Sequence, residues 1–274
     1  MPPVISIVVP AYNAAPFLEK TIDAVLRQTF QNWELIIINN ASRDETGAIV
    51  DRILAKENDP RIRVITHART LPANENWNSG LQEAQGEFIK MICADDVPTL
   101  DCVERQVRIL CENPNVSLVA GARTIINGHG QMLFTRSSIS RPGVHNGRAM
   151  IRRSILSGTN IIGEPVVSTW RASAMRQVGM FDPTVIYCPD IDFWWRLLTV
   201  GDLYYETEPC GFYRIHGNAA ATGLSGVAVK DFLYCARLQV KRGSVTLSEI
   251  DWSIIALKAH LNNIARKLVY RILG

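Results

Sequence analysis

The chain has 274 residues, 47% of them apolar and 20% charged, with a net charge of +3. That length can bury a sizeable core in one large domain or two small ones. The charge excess is too small to argue for a nucleic-acid partner.

At the N-terminus, MPPVISIVVPAYN has no basic region followed by a long apolar segment, so it does not read as a signal peptide. Its VISIVVP run (4–10) is apolar and β-branched, the pattern of a buried parallel strand. Residues 15–29 bring Phe17, Leu18, Ile22, Val25 and Leu26 to helical spacing. WELIIIN (33–39) is the next strand. A helix over 42–57 opens with Ser42 as N-cap and Glu45 three residues on, a capping box. RIRVIT (61–66) reads as a strand, 72–85 as a helix stopped by Gly86, and 87–93 as a fourth strand. Strand–helix alternation at this spacing predicts a parallel sheet with helices on both faces.

The second half is less regular. A strand over 116–128 runs into a turn at NGHG, and QMLFT returns. Residues 135–147 read as a mobile loop, followed by helices at 147–157, 171–178 and 190–200. Short strands at 202–207 and 210–216 precede a linker at 219–226 and two closing helices, near 227–241 and 246–272. Six cysteines without a CxxC pair give neither a zinc site nor a disulfide framework, and read as thiols of a reducing compartment. No apolar run approaches the ~18 residues of a spanning helix. The expected location is the cytoplasm.

Asp95 and Asp96 end a run, IKMIC, whose single charge is Lys90. Adjacent carboxylates repel and need a reason. In open α/β sheets ligands sit outside the carboxyl ends of the strands. PAYN, NNASRD, HAR and ADD all follow strands on that edge. Two oxygen donors suit Mg2+ or Mn2+, hard cations shared with substrate phosphates. Asp95 and Asp96 are therefore candidates to hold a nucleotide, one through metal and one through ribose hydroxyls. The competing reading is a cap for a helix starting near Pro98. Cys93 reads as core, because hard cations disfavour sulfur. GxxxxGK[ST] and GxGxxG are both absent, which argues against a P-loop and a dinucleotide-dependent dehydrogenase. Arg69 can pair with a phosphate or a base edge, or stay a solvated loop cation.

SIVVPAYN (6–13), RQTFQNWELIIINNASRDET (27–46) and NWNSGLQEAQGEFIKMICADD (76–96) are followed by EPVVSTWRASAMRQVGMFD (164–182), DIDFWWRLLTVGDLYY (190–205) and YRIHGN (213–218). Their order and spacing resemble the family-2 glycosyltransferases of the GT-A fold, over most of residues 4–218. The resemblance implies an α/β, GT-A-like fold: a mostly parallel central sheet flanked by helices. A Rossmann-like nucleotide-sugar-binding half would span 1–97 and an acceptor half 98–218, with a linker and helical tail over 219–274. It implies inverting transfer from a nucleotide-diphosphate sugar to a carbohydrate or lipid-linked glycan, in surface polysaccharide or glycolipid assembly. Pro10, Ala11, Tyr12, Asn13, Asn39, Asn40 and Asp44 would embrace base and ribose, with Arg69 and Asp95 beside them. Asp95, Asp96 and His216 would hold the metal, and Asp190 would be the general base that inversion requires. QxxRW, the mark of processive relatives, is absent.

Three departures bear on this reading. Asn39-Asn40 stand where the family usually carries an Asp, which leaves the base open. Cys93 and Pro189 each replace an acid. They motivate a rival, a nucleotide-sugar-binding module without catalysis. A nucleotidyltransferase would need a Gly-rich, Arg-containing loop that PAYNAAPF does not provide. Other residues carry two readings each. Asp190 is base or helix N-cap, and Asp192 pairs with Arg196 at i+4. Trp194 and Trp195 are both core, or one stacks on a sugar. Glu164 contacts sugar or lies in a turn. Trp77 reads as core, with Asn76 a weak site candidate. His216 is a ligand or packs on Tyr213. The tail repeats Ile254, Leu257, Leu261, Ile264 or Ala265, Leu268 and Ile272 among Lys258, Arg266, Lys267 and Arg271. It is an amphipathic helix for packing, or for peripheral contact with an anionic membrane at its inner face.

Overall fold

The computed structural model describes residues 2–217 and 226–273; the expected linker and Asn218 fall almost wholly outside them. Strands β1 (Ile5–Ala11), β2 (Trp33–Asn39), β3 (Ile62–Thr66) and β4 (Phe88–Met91) alternate with helices α1 (Leu18–Leu26), α2 (Thr46–Glu57) and α3 (Ala73–Glu83). The short β5 (Val97–Pro98) and α4 (Cys102–Glu112) follow, then β6 (Val116–Asn127), β7 (Met132–Arg136), β8 (Gly143–His145) and α5 (Gly147–Ser157). Next come β9 (Ser168–Arg171), α6 (Ala172–Val178), α7 (Pro189–Leu197) and β10 (Asp202–Ile215). Helices α8 (Ala228–Lys241) and α9 (Glu249–Leu273) close the chain.

One sheet runs in the order β3-β2-β1-β4-β9-β6-β10-β5, with β7 on β6 and β8 on β10. β1 pairs in parallel with β2 and β4, and β2 with β3. β9 then joins β4 and β6 antiparallel, while β6 and β10 run parallel. The first half is thus the expected parallel unit and the sheet as a whole is mixed. Alternation along the strands divides the core. Ile7, Val9, Leu35 and Ile37 face α1, α2 and α4. Val8, Ile36 and Ile38 join Leu81 of α3 and the apolar side chains of α5 to α9 on the other face. Each such side chain contributes about 1.5–3 kcal/mol on burial.

Several expectations are corrected. The capping box does not form: α2 starts at Thr46, and Glu45 at its N-cap makes no side-chain cap. Ser42 instead accepts from the Asn13 N–H, and Asp44 accepts from Thr46 and Ala15. The loop after β1 has taken the would-be caps. Helix α3 ends at Glu83, before Gly86. Gly86 serves a close approach, since a Cβ there would lie 2.5 Å from the Ser6 nitrogen. The expected loop at 135–147 contains the end of β7 and all of β8, which pairs with β10. The two short strands at 202–216 are one strand, β10, with register shifts between Glu206 and Gly211. Helix α4, with Val103, Val107 and Leu110 buried, was legible only as a helix start near Pro98. Asp190 is not an N-cap: Cys188 holds that place, and Asp190 is the second residue of α7.

Candidate active site

The C-terminal edge of the parallel strands carries the first group of expected residues. Pro10 and Ala11 are buried at the end of β1, and Tyr12 and Asn13 stand exposed beyond it. Asn13 adopts a left-handed φ of 48° and accepts from the Arg43 N–H at 2.9 Å. The Asn39 side chain accepts from Ser42 N–H. Asn40 is clamped to Leu71, its amide donating to the Leu71 carbonyl and accepting its N–H, both at 2.9 Å. Both ends of that side chain tie the β2 loop to the start of α3. Asp44 is pulled two ways: partial burial raises its pKa, and hydrogen bonds from Thr46 and Ala15 outweigh that and lower it. Arg69 stands exposed in the loop after β3, on the same edge.

Asp95 and Asp96 sit between β4 and β5 and differ in role. Asp96 is buried, and its Oδ1 accepts the Arg214 N–H of β10 at 2.9 Å. Its backbone carbonyl accepts from Thr21 of α1. Burial, then the neighbouring Asp95 charge, pushes its carboxyl well above the usual range. Asp95 is half-exposed and reaches His216 Nε2 at 3.0 Å. His216 lies against Phe17, ring centroids 4.8 Å apart. Cys93 sits with the pair, its Sγ and the two carboxylates offering atoms within 4.8 Å of one another. Burial and then the charges of Asp96, Asp95, Asp190 and Glu164 push the Cys93 thiol up, so it stays protonated. Four carboxylates therefore act on one thiol, which ties the Asp95 side of the cleft to the Asp190 side.

Asp190 borders a cavity of about 430 Å³. Asn160 donates to its Oδ2 at 2.8 Å. Burial and then the nearby Glu164 charge push its pKa up to about 7. The loop holding Asn160 is self-bonded: Asn160 Oδ1 accepts from Ile162 and Gly163 N–H. The Gly163 carbonyl accepts from the Trp194 indole. Both Trp194 and Trp195 are fully buried, so neither presents a face to a sugar. Asp192, also buried, pairs with Arg196 at 2.7 Å as the i+4 spacing predicts, and with Arg242 at 3.1 Å. Trp77 packs edge-on against Phe181, and Asn74 and Asn78 hold the backbone of residues 181–185. Asn76 is buried in α3 with its Oδ1 lacking a hydrogen-bond partner. Glu164 lies 2.5 Å from Arg123 Nε, an ion pair without hydrogen-bond geometry.

The family model for glycosyl transferase family 2 matches residues 6–163, more than half of the chain. The chain belongs to glycosyl transferase family 2. An uncharacterized glycosyltransferase of Haemophilus influenzae is 27% identical over 228 residues, 80% of this chain and 68% of that protein. One from Rickettsia typhi is 25% identical and covers 78% of this chain, yet the match spans 64% of its own length, so the chain covers less than two thirds of it. The Escherichia coli UDP-Glc:alpha-D-GlcNAc-diphosphoundecaprenol beta-1,3-glucosyltransferase WfgD is 33% identical over 125 residues, 46% of this chain and 47% of that one. Among solved structures, S. aureus TarS in complex with UDP-GlcNAc matches 94% of this chain and 72% of its own at 17% identity, TM-score 0.71. The Pyrobaculum calidifontis mannosyltransferase in complex with GDP-Man and Mn2+ covers all of this chain and 85% of its own at 16% identity, TM-score 0.61. The fold is GT-A-like.

Within this family-2 chain, sequence reading missed Asn160, Arg123 and Arg136. Arg123 had a signal, a lone cation inside the apolar run VSLVAGARTIING. Asn160 had none, since its importance depends on a contact thirty residues away.

Proposed function

We propose that the chain moves a sugar from a nucleotide-diphosphate donor to an acceptor hydroxyl with inversion. The observation that carries this reading is Asp190: a partly buried carboxylate on the wall of a cavity, held by Asn160, with its pKa pushed up to about 7. The acceptor oxygen would attack the anomeric carbon from the face opposite the diphosphate. Its proton would pass to Asp190 as the carbon–oxygen bond to the diphosphate breaks and the electron pair leaves with the phosphate. The carboxylate survives the Pro189 departure, which favours catalysis over a mute binding module.

The residues at Asp95 fit a hard divalent cation. Asp96 is buried beside a second carboxylate, a repulsion that a cation would relieve, and the oxygen and imidazole donors match Mg2+ or Mn2+. Asp95, Asp96 and His216 would hold it, with the protonated Cys93 thiol as a bystander. Such an ion, when bound, neutralises charge gathering on the departing diphosphate. Pro10, Ala11, Tyr12, Asn13 and Asn39 would receive base and ribose, with the exposed Tyr12 ring free to stack. Arg69 is kept as a candidate for the base edge or a phosphate. Asn40 would act by holding the loop rather than touching the ligand.

The acceptor would be a carbohydrate or lipid-linked glycan, in surface polysaccharide or glycolipid assembly; the Escherichia coli relative is named for transfer to a GlcNAc-diphosphoundecaprenol. Among the described residues no helix is long and apolar enough to cross a membrane. Helix α9 instead turns Ile250, Ile254, Leu257, Leu261, Ile264 and Leu268 outward, each 41–73% exposed. Lys258, Lys267 and Arg271 flank that stripe, which suits peripheral contact with an anionic bilayer at its cytoplasmic face.

Asp190→Asn tests the central assignment. Transfer should fall by roughly 10²–10⁴, the usual worth of general-base catalysis, with donor binding retained. Unchanged transfer would remove Asp190 from the mechanism.

A further inference from the structure

The cavity beside Asp190 carries more positive charge than a site for a neutral sugar requires. Three guanidinium groups line it: Arg123 of β6, Arg136 of β7 and Arg266 of α9. Arg123 and Arg136 are register partners across the β6–β7 pair. The carboxylates that face them are Glu164 and Asp190. Glu164 is committed to Arg123 by its ion pair, and Asp190 to Asn160. Arg266 donates to the Tyr187 hydroxyl at 2.5 Å.

Arg123 is 2% exposed; its Nε has Glu164 at 2.5 Å, and its Nη1 is buried without a hydrogen-bond partner among the described residues. A guanidinium taken out of water in this way is costly until an acceptor satisfies it. Arg136 makes no hydrogen bond or ion pair through its side chain among the described residues. Arg123 and Arg266 set like charges beside it, and Glu164 an opposite one. Like charges gathered at one wall repel, and among the described residues three arginines share the space with two carboxylates, Glu164 and Asp190. The cavity adjoins the donor edge without sharing its residues: neither Asp95, Asp96 and His216 nor the loop after β1 lines it. Its volume of about 430 Å³ suits a sugar bearing a phosphate group.

We propose that this pocket binds an acceptor carrying phosphate or diphosphate, its anionic group held by Arg136, Arg123 and Arg266 and its sugar hydroxyl turned toward Asp190. This rests on the transferase reading and names its acceptor class. Planar guanidinium forks are the side chains best matched to phosphate oxygens. Asn262 and Asn263 of α9 border the same space.

The test is calorimetric binding of inorganic pyrophosphate in EDTA, which keeps divalent ions from the donor edge. The wild-type protein should bind it. Arg136→Ala should weaken binding about tenfold or more, Arg136→Glu should abolish it, and Arg136→Lys should keep part of it. Arg136 is exposed at the pocket mouth, so these variants leave the core intact. Farnesyl diphosphate is a parallel probe. Tighter binding than pyrophosphate identifies a lipid-linked acceptor, and equal binding a soluble phosphorylated sugar. No pyrophosphate binding, or equal binding by wild type, Arg136→Ala and Arg136→Glu, overturns the proposal. UDP with Mn2+ is measured alongside. Loss of that binding alone would count against the transferase reading and leave the anion site standing.

Discussion

Asp190 joins burial to a pH profile. With its pKa raised to about 7, it accepts a proton only when ionised. The rate at low substrate should therefore rise about tenfold per pH unit below 7 and level off above it. A profile flat from pH 5 to 8 would contradict its role as base. The same shift has a stability consequence. The folded state holds the Asp190 proton to a higher pH than the unfolded chain does, so this group favours folding at low pH. It costs stability as pH rises through the window between the ordinary carboxylate value and about 7. Asp190→Asn should thus melt a few degrees higher than wild type at pH 8 and no higher at pH 3.5. Asp192, two residues on, is structural. It is fully buried between Arg196 and Arg242, and Asp192→Ala would strand two guanidinium groups. A loss of about 3–5 kcal/mol in denaturant unfolding is expected. A loss below ~1 kcal/mol would show the pairs to be solvent-screened.

At the scale of elements, α9 has two working faces. Ile255 and Ala259 pack inward, and Asn262 donates to the carbonyls of Ser157 and Gly158 at the end of α5. The same face walls the cavity through Arg266. The outward stripe recurs at four- and three-residue steps from Ile250 to Leu268, along a helix of 25 residues. Changing Leu257, Leu261 and Ile264 to Ser should leave the melting temperature within a few degrees and abolish flotation with anionic liposomes. Flotation equal to wild type would remove the membrane role. Helix α2 teaches a different lesson. Ser42 and Glu45 stand at capping-box spacing, yet Ser42 serves Asn13 and the helix opens later. Local propensity lost to a loop–loop contact spanning 29 residues.

For the molecule as a whole, legibility followed contact range. The strands β1 to β4 could be read because each is mostly apolar or β-branched and helices alternate with them in sequence. Asp95, Asp96 and Asp190 were readable as acids where acids have no packing reason to be. Most elements of the second half could be read as well, but not β9 or its insertion between β4 and β6, an order that no local pattern records. Asn40 was read as a ligand contact and is held by Leu71, a partner 31 residues away. Arg123, Arg136 and Arg266 meet only after β6, β7 and α9 assemble, so their shared pocket has no sequence signature. The account stands on a donor edge and a base meeting in one cleft. The measurement that tests it most directly is calorimetric binding of UDP, dTDP, GDP, CDP and ADP, each with Mn2+ and with EDTA. One nucleotide should bind with Mn2+, lose that affinity in EDTA, and lose it again in Asp95→Asn and His216→Ala. A folded protein that binds none of them, or binds one equally in EDTA and in both variants, would contradict the metal-clamped donor site.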